Sequence, residues 1–139
     1  MNTALKVPSP RPEVLGGPVP CLMVEGALRA SELYQRAFGA REAGHIPPDD
    51  KGRTMHVHLY VNGGSLMLSD PYPEHGCAFK PHQGYSLHLQ VDDVVAWWDR
   101  AVAAGLEIVT PLQVMFWGDR WGQLRDPFGV VWSMGAPAA

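Results

Sequence analysis

Three groups of residues in this chain have types and spacings that could do chemistry. The first is His56-x-His58, with His88 further along. Side chains alternate across a strand, so residues two apart share a face. Two imidazoles placed that way can chelate one cation, and imidazole suits Zn, Cu, Fe and Ni. They can equally serve as polar contacts to an organic ligand or as an acid–base group, because imidazole titrates near neutrality. The second group is Phe116-Trp-Gly-Asp-Arg-Trp121. Its aromatics could stack on a flat ligand, with Arg120 offering a planar donor fork. The plain alternative is a packed hairpin turn, with Arg120 paired to Asp119 or to nothing. The third is the loop 70–83 with His75, Cys77 and His82, whose spacing fits no standard metal site and which reads as a solvated connection. No Ser-His-Asp order, nucleophile elbow, phosphate loop or dinucleotide fingerprint is present. Cys21 is the nucleophile held in reserve.

The elements that must position these residues follow from local pattern. Residues 53–69 read as a β-hairpin turning at Asn62-Gly63-Gly64, dipeptides that tolerate the positive φ of a tight turn. Its first strand, at about 53–61, puts Met55, Val57, Leu59 and Val61 on one face and Thr54, His56, His58 and Tyr60 on the other. A short strand at 19–24 precedes a helix over 26–39, whose Ala30, Leu33, Tyr34, Ala37 and Phe38 make a buried stripe that stops at Gly39. A strand at 41–46 ends at Pro47-Pro48. Further strands are expected at 85–91, 106–110 (stopped by Pro111), 120–125 and 130–134. A helix over 93–104 starts on an aspartate N-cap, carries Val94, Trp97, Trp98, Ala101 and Val102 on one stripe, and closes at Gly105. Asp126-Pro-Phe-Gly129 reads as a structural turn. Residues 1–18 form a proline-rich arm, either disordered or lying on a neighbouring subunit.

Composition excludes several classes. The chain has 139 residues, 46% hydrophobic and 18% charged, which fits a soluble globular protein. A net charge of −3 without a basic stripe argues against a nucleic-acid partner. No apolar run reaches the ~20 residues of a membrane span, and no signal-type apolar region follows the N-terminus. A cytoplasmic location is expected. Two cysteines make no disulfide framework. Five tryptophans supply core or contact surface.

The order strand, helix, strand, strand, strand occurs twice. Val24-Glu-Gly, then Tyr34-Gln-Arg-Ala-Phe-Gly39, echoes Val91-Asp-Asp, then Trp98-Asp-Arg-Ala-Val-Ala-Ala-Gly105, at an offset of roughly 64–67 residues. The chain therefore reads as two βαβββ modules, about 19–70 and 85–135, in one domain spanning 19–135, with a tail at 136–139. Each helix would cover the apolar face of its strands. The opposite faces, carrying Cys21, Met23, His56, His58, Tyr60, Met67, Ser86, His88 and Gln90, would line a concave pocket.

On the motifs Leu33-Tyr-Gln-Arg-Ala-Phe-Gly-Ala40, Met55-His, Gly63-Gly-Ser-Leu-Met-Leu-Ser-Asp70, Val91-Asp-Asp93, Phe116-Trp-Gly-Asp-Arg120 and Asp126-Pro-Phe-Gly129, the chain resembles the vicinal oxygen chelate superfamily. That superfamily includes glyoxalase I, bleomycin-resistance proteins and extradiol dioxygenases, and the likeness is to its PhnB-like branch. The resemblance implies an α+β fold of tandem βαβββ modules, forming a curved mixed sheet around a cleft, usually in a homodimer. It also implies that metal ligands, where members use them, fall here at Val19, Met67, Ser86 and Ser133. Valine and methionine are not ligands for a hard or borderline divalent ion, so no cofactor is expected at those positions. The alternative is a divalent metal such as Zn, Fe or Ni on His56, His58 and His88. The expected function is a metal-free homodimer holding a planar or aromatic organic molecule, with Trp117, Arg120 and Trp121 added to the lining. The alternative is a superfamily enzyme, a lyase, isomerase or dioxygenase, with an atypical histidine site. A third reading is a structural or regulatory protein with a vestigial cleft.

Overall fold

The computed structural model describes residues 11–139, which cluster into two compact units. The first unit, through Lys80, carries β1 (Cys21–Met23), α1 (Ala27–Phe38), β2 (Arg41–His45), β3 (Val57–Val61) and β4 (Gly64–Ser69). The second, from Pro81, carries β5 (Leu87–Gln90), α2 (Val94–Ala103), β6 (Glu107–Val114), β7 (Asp119–Arg125) and β8 (Val131–Pro137). It also takes in the last turn of α1, where the Phe38 ring lies 4.6 Å from that of Trp132. Both modules expected from the repeat are present, each with its own four-stranded mixed sheet. The strand orders are β1-β4-β3-β2 and β5-β8-β7-β6, with β1–β4 and β5–β8 parallel and the other pairs antiparallel. No helix among the described residues is long and apolar enough to cross a membrane.

The first sheet divides its faces as alternation requires. Leu22, Val57, Leu59, Val61, Leu66 and Leu68 are buried, as is the α1 stripe of Ala30, Leu33, Tyr34 and Ala37. Asn62 and Gly63 make the hairpin turn at φ 49° and 84°. The helix starts without a side-chain cap of its own, because Gly26 stands at the N-cap. Asp70, just past β4, does that work from a distance. Its Oδ1 accepts from Gly26 N–H (2.8 Å) and Ala27 N–H (3.2 Å), and its Oδ2 accepts from Thr54 N–H (2.9 Å). The helix ends on Gly39 in the left-handed conformation.

The second unit buries Leu89, Trp98, Ala101, Leu124, Trp132 and Met134. Asp93 caps α2 through Ala96 N–H. Asp126 ties the β7–β8 turn, accepting from the backbone of Phe128 and Val130 and from Trp132 Nε1. Gly122 is where β7 meets α2: a Cβ there would stand 2.6 Å from the Trp98 ring.

Several expectations need correction. The first hairpin strand begins at Val57, not at residue 53. Met55 is exposed rather than on the core face. Thr54 is buried, its hydroxyl donating to Ile46 O at 2.6 Å, because Asp70 pulls that backbone inward. Val102 is exposed, off the buried stripe of α2. The strand expected to stop at Pro111 runs through it to Val114. This is possible because β6 is an edge strand with an irregular register between Thr110 and Gln113, where a missing N–H costs no ladder bond. The loop 70–83 contains a single 3-10 turn, Pro73–His75, and a Tyr72–Cys77 bridge. Both cysteines are free thiols.

The arm is a further correction for its described part. Part of residues 11–18 is ordered against the first sheet of its own chain, held there through Glu13 and Leu15. Pro20 O accepts from Met67 N–H, Leu15 O accepts from Ser65 N–H, and Glu13 O accepts from the Tyr60 hydroxyl. Residues 1–10 of the expected arm lie outside the described residues.

Candidate functional site

The open face of the first sheet carries the residues that alternation placed there. Cys21 and Met67 are register partners, as are Met23 and Ser69, His58 and Met67, and Tyr60 and Ser65. His56 precedes β3 and still reaches this face, its ring centroid 6.4 Å from that of His58. The Tyr60 ring lies 4.9 Å from that of His58, and the Arg41 guanidinium stands 4.7 Å from the centre of the Tyr60 ring. Thus Cys21, Met23, His56, His58, Tyr60 and Met67 come together on one surface.

That surface holds a cavity of about 230 Å³, walled by His45, His56, His58 and Met67 on the sheet side and by Arg11, Pro12 and Val14 from the arm. A second cavity of about 330 Å³ lies against Cys21, Met23 and Met55 and shares His56 and Met67 with the first. The arm explains why His58, on a face open to solvent by pattern, is only 4% exposed.

Burial sets the charge of the pair. It lowers the pKa of His56 below the ordinary imidazole value, and it lowers that of His58 likewise, helped by the neighbouring His56. Both rings are therefore held neutral near pH 7. Ser65 Oγ accepts from Leu15 N–H at 2.8 Å and sits 2.7 Å from His58 Nε2. With one lone pair taken by Leu15, the hydroxyl proton can go to Nε2, which fits a neutral ring protonated on Nδ1.

His45 is a site residue that sequence reading missed. It sits at the end of an edge strand, where no face pattern singles it out. The structure gives it a support chain: Gln35 Nε2 donates to Ser31 Oγ (3.1 Å), Ser31 donates to Glu42 Oε1 (3.0 Å), and Glu42 Oε2 meets His45 Nδ1 (3.0 Å). A bulge between Glu42 and Gly44 accompanies this arrangement. Gly44, opposite His58, is the other lining residue contributed by the same strand.

In the second unit, His88 and Gln90 lie on β5 with Ser133 opposite His88. His88 Nε2 donates to Gln90 Oε1 (2.8 Å), so its Nδ1 accepts from Ser133 Oγ (2.7 Å) in the neutral ring. The polar row continues across the sheet: Gln123 pairs Ser133, and Thr110 Oγ1 donates to Gln123 Oε1 at 3.0 Å. Gly135 lets His88 and Trp121 approach, since a Cβ there would meet both at 3.3–3.4 Å. Ser133 was expected only as a place where the superfamily puts a metal ligand, and Gln123, Thr110 and Gly135 were not expected at all; the strand alternation that found His88 could have found Gln123. Ser86 is exposed just before β5. Trp117, 5.6 Å from Trp121 edge to face, and fully exposed Phe116 belong to the β6–β7 turn. Arg120 is half-buried on β7, and among the described residues it makes no ion pair, with Asp119 or otherwise.

The positions at which the resemblance places metal ligands carry side chains that do not suit one. Val19 has no donor atom, Met67 offers a thioether, and Ser86 and Ser133 offer neutral hydroxyls, of which that of Ser133 is already bonded to His88. Among the described residues, no group of three or more His, Cys, Asp or Glu side chains stands in a metal-holding arrangement.

Comparison with known proteins agrees with this fold. The chain is 42% identical over 125 residues to the uncharacterized protein Mb0911c of Mycobacterium bovis, covering 85% of this chain and 81% of that one. Among solved structures it is similar to protein PA1353 of Pseudomonas aeruginosa, at 31% identity and a TM-score of 0.71, covering 86% of this chain and 96% of the other. It is also similar to TioX of Micromonospora sp. ML1, at 30% identity and a TM-score of 0.67 with the same coverage of 86% and 96%. Residues 19–134 match the profile of the Glyoxalase/Bleomycin resistance protein/Dioxygenase superfamily, and the chain belongs to that family.

Proposed function

We propose that the chain is a small-molecule-binding member of this superfamily that holds a planar or aromatic organic ligand on the open face of its first module, without a metal, as a homodimer. The observation that carries the reading is the cavity walled by His45, His56, His58 and Met67. Its lining combines apolar surface, a polarisable thioether and imidazoles kept neutral by burial. That mixture suits a flat organic molecule with a few hydrogen-bonding edges. The metal-free part rests on the donor-poor residues at Val19, Met67, Ser86 and Ser133. The homodimer rests on β6, an edge strand that exposes Ile108, Val109 and Val114 beside exposed Phe116 and Trp117. Unpaired edges and contiguous apolar patches of this kind mark association surfaces, here for a second copy of the chain. A cytoplasmic location belongs to the same proposal and rests on the free thiols of Cys21 and Cys77.

A thermal-shift screen of planar aromatic compounds and of Zn, Fe and Ni salts tests this. A ligand at a hundred times its Kd stabilises the native state by about 2.7 kcal/mol. The reading expects stabilisation by members of the aromatic set, reduced in His58→Ala and Met67→Ala, and none by the metals. Stabilisation by a metal alone would overturn it.

One observation favours a second reading, an enzyme with an atypical histidine site. Glu42 orients His45 at the cavity, the arrangement by which a carboxylate positions an acid–base imidazole. Mass spectrometry of a bound compound after long incubation separates the two. The binding reading expects it recovered unchanged; the enzyme reading expects a product.

A further inference from the structure

Residues 11–15 bond to Tyr60 and Ser65, the two groups that flank His58 on the face they cover. The Tyr60 hydroxyl donates to Glu13 O at 2.6 Å, Leu15 N–H donates to Ser65 Oγ at 2.8 Å, and Ser65 N–H donates to Leu15 O at 2.9 Å. Arg11, Pro12 and Val14 then close the wall of the cavity over His58. Among the described residues the segment has little else to hold it: Arg11, Glu13 and Val14 are exposed, and Pro12 and Leu15 are only partly covered. Beyond it the backbone bends at Gly16, φ +105°, and a Cβ added at Gly16 or Gly17 would meet nothing within 4 Å. Past that bend the chain is fixed again, by Met67 N–H donating to Pro20 O at 3.0 Å. A short segment held, among the described residues, by a few polar bonds, with almost no buried apolar side chain and a glycine pair at its base, belongs to the low-stability end of a structure and opens locally.

We propose that residues 11–15 are a strap that gates the first-module cavity. Closed, the strap takes the hydrogen-bonding groups of Tyr60 and Ser65; turned away about Gly16–Gly17, it releases them and uncovers His58. This rests on the reading of that cavity as a ligand site. The ligand then competes with the chain's own backbone, and its apparent affinity is reduced by the fraction of time the strap is shut. Weakening the strap therefore tightens binding, whereas removing an ordinary lining contact weakens it.

The test uses the full chain with Leu15→Pro, which removes the N–H bonded to Ser65, and Gly16→Ala, which disfavours the positive φ at the bend. Two probes are read. Diethyl pyrocarbonate modifies neutral imidazole, and peptide mapping gives the rate at His58 relative to exposed His75. The fluorescent planar anion 8-anilinonaphthalene-1-sulfonate reports binding. Loss of one neutral hydrogen bond shifts the strap equilibrium roughly two- to tenfold. Both variants are expected to modify faster at His58 and to bind the dye more tightly by that factor. Unchanged His58 modification in both variants overturns the gate, as does weaker dye binding in both. Faster His58 modification with no dye binding to any form upholds the gate, and the failure then belongs to the ligand reading.

Discussion

Asp70 is the residue through which one substitution should loosen most of the first module. The residue is 4% exposed, and its carboxylate accepts three backbone N–H groups, two from the start of α1 and one from Thr54. In Asp70→Ala the helix loses the one side-chain acceptor that the described residues offer its N-terminus, since Gly26 supplies none. Gly26 N–H is partly exposed and can recover water, but Ala27 and Thr54 are buried. Stranding a buried amide costs about 1–3 kcal/mol, and a lost cap about 1. We expect about 3–4 kcal/mol in all, a fall in Tm of roughly 10–15 °C for a chain of this size. Asp70→Asn keeps one carbonyl oxygen for the helix but turns an NH2 toward Thr54 N–H, so it should fall between wild type and alanine. Urea denaturation and thermal scans measure both. An Asp70→Ala variant within 1 kcal/mol of wild type would refute the claim that this carboxylate ties β4, the 53–56 segment and α1 together.

Three further outcomes follow from the packing and the charges. Gly122→Ala sets a methyl 2.6 Å from the Trp98 ring and should destabilise by about 1–3 kcal/mol, read as a lower denaturation midpoint with altered tryptophan fluorescence. His56 and His58 have folded pKa values below the unfolded value of about 6.5. Their contribution to stability is therefore complete above that pH and is lost as pH falls through it toward the folded values, because the unfolded chain takes up protons first. Tm should drop between pH 7 and 5, and drop less in a His56→Gln/His58→Gln variant. Phe116→Glu places a charge on a residue that is 95% exposed in the monomer. It should leave Tm nearly unchanged yet shift the proposed dimer toward monomer in light scattering; an unchanged mass would count against β6 as the dimer surface.

Most of the architecture was legible because it is written in local period. The stripes of α1 and α2, the Asn62-Gly63 turn, the glycine stop at Gly39 and the aspartate cap at Asp93 all act over a few residues. The same periodicity misled where distant contacts took over. Alternation continues through residues 53–56, yet Thr54 turns inward because Asp70 and Ile46 hold it. Proline suggested a stop at Pro111, and edge position removed the reason for one. The open-face residues Cys21, His58, Tyr60 and Met67 were found by counting in twos. His45, Gly135 and the strap were not, because each depends on what the folded chain brings beside it: Glu42, the facing His88 and Trp121, and the backbone groups of residues 13–15.

The most direct test of the ligand site is a titration with 8-anilinonaphthalene-1-sulfonate followed through the imidazole resonances of the six histidines. Saturable shifts are expected at His45, His56 and His58, with one dye per chain, while His75 and His82 stay in place. Shifts confined to His88, or no saturable shift at any histidine, would contradict the ligand site.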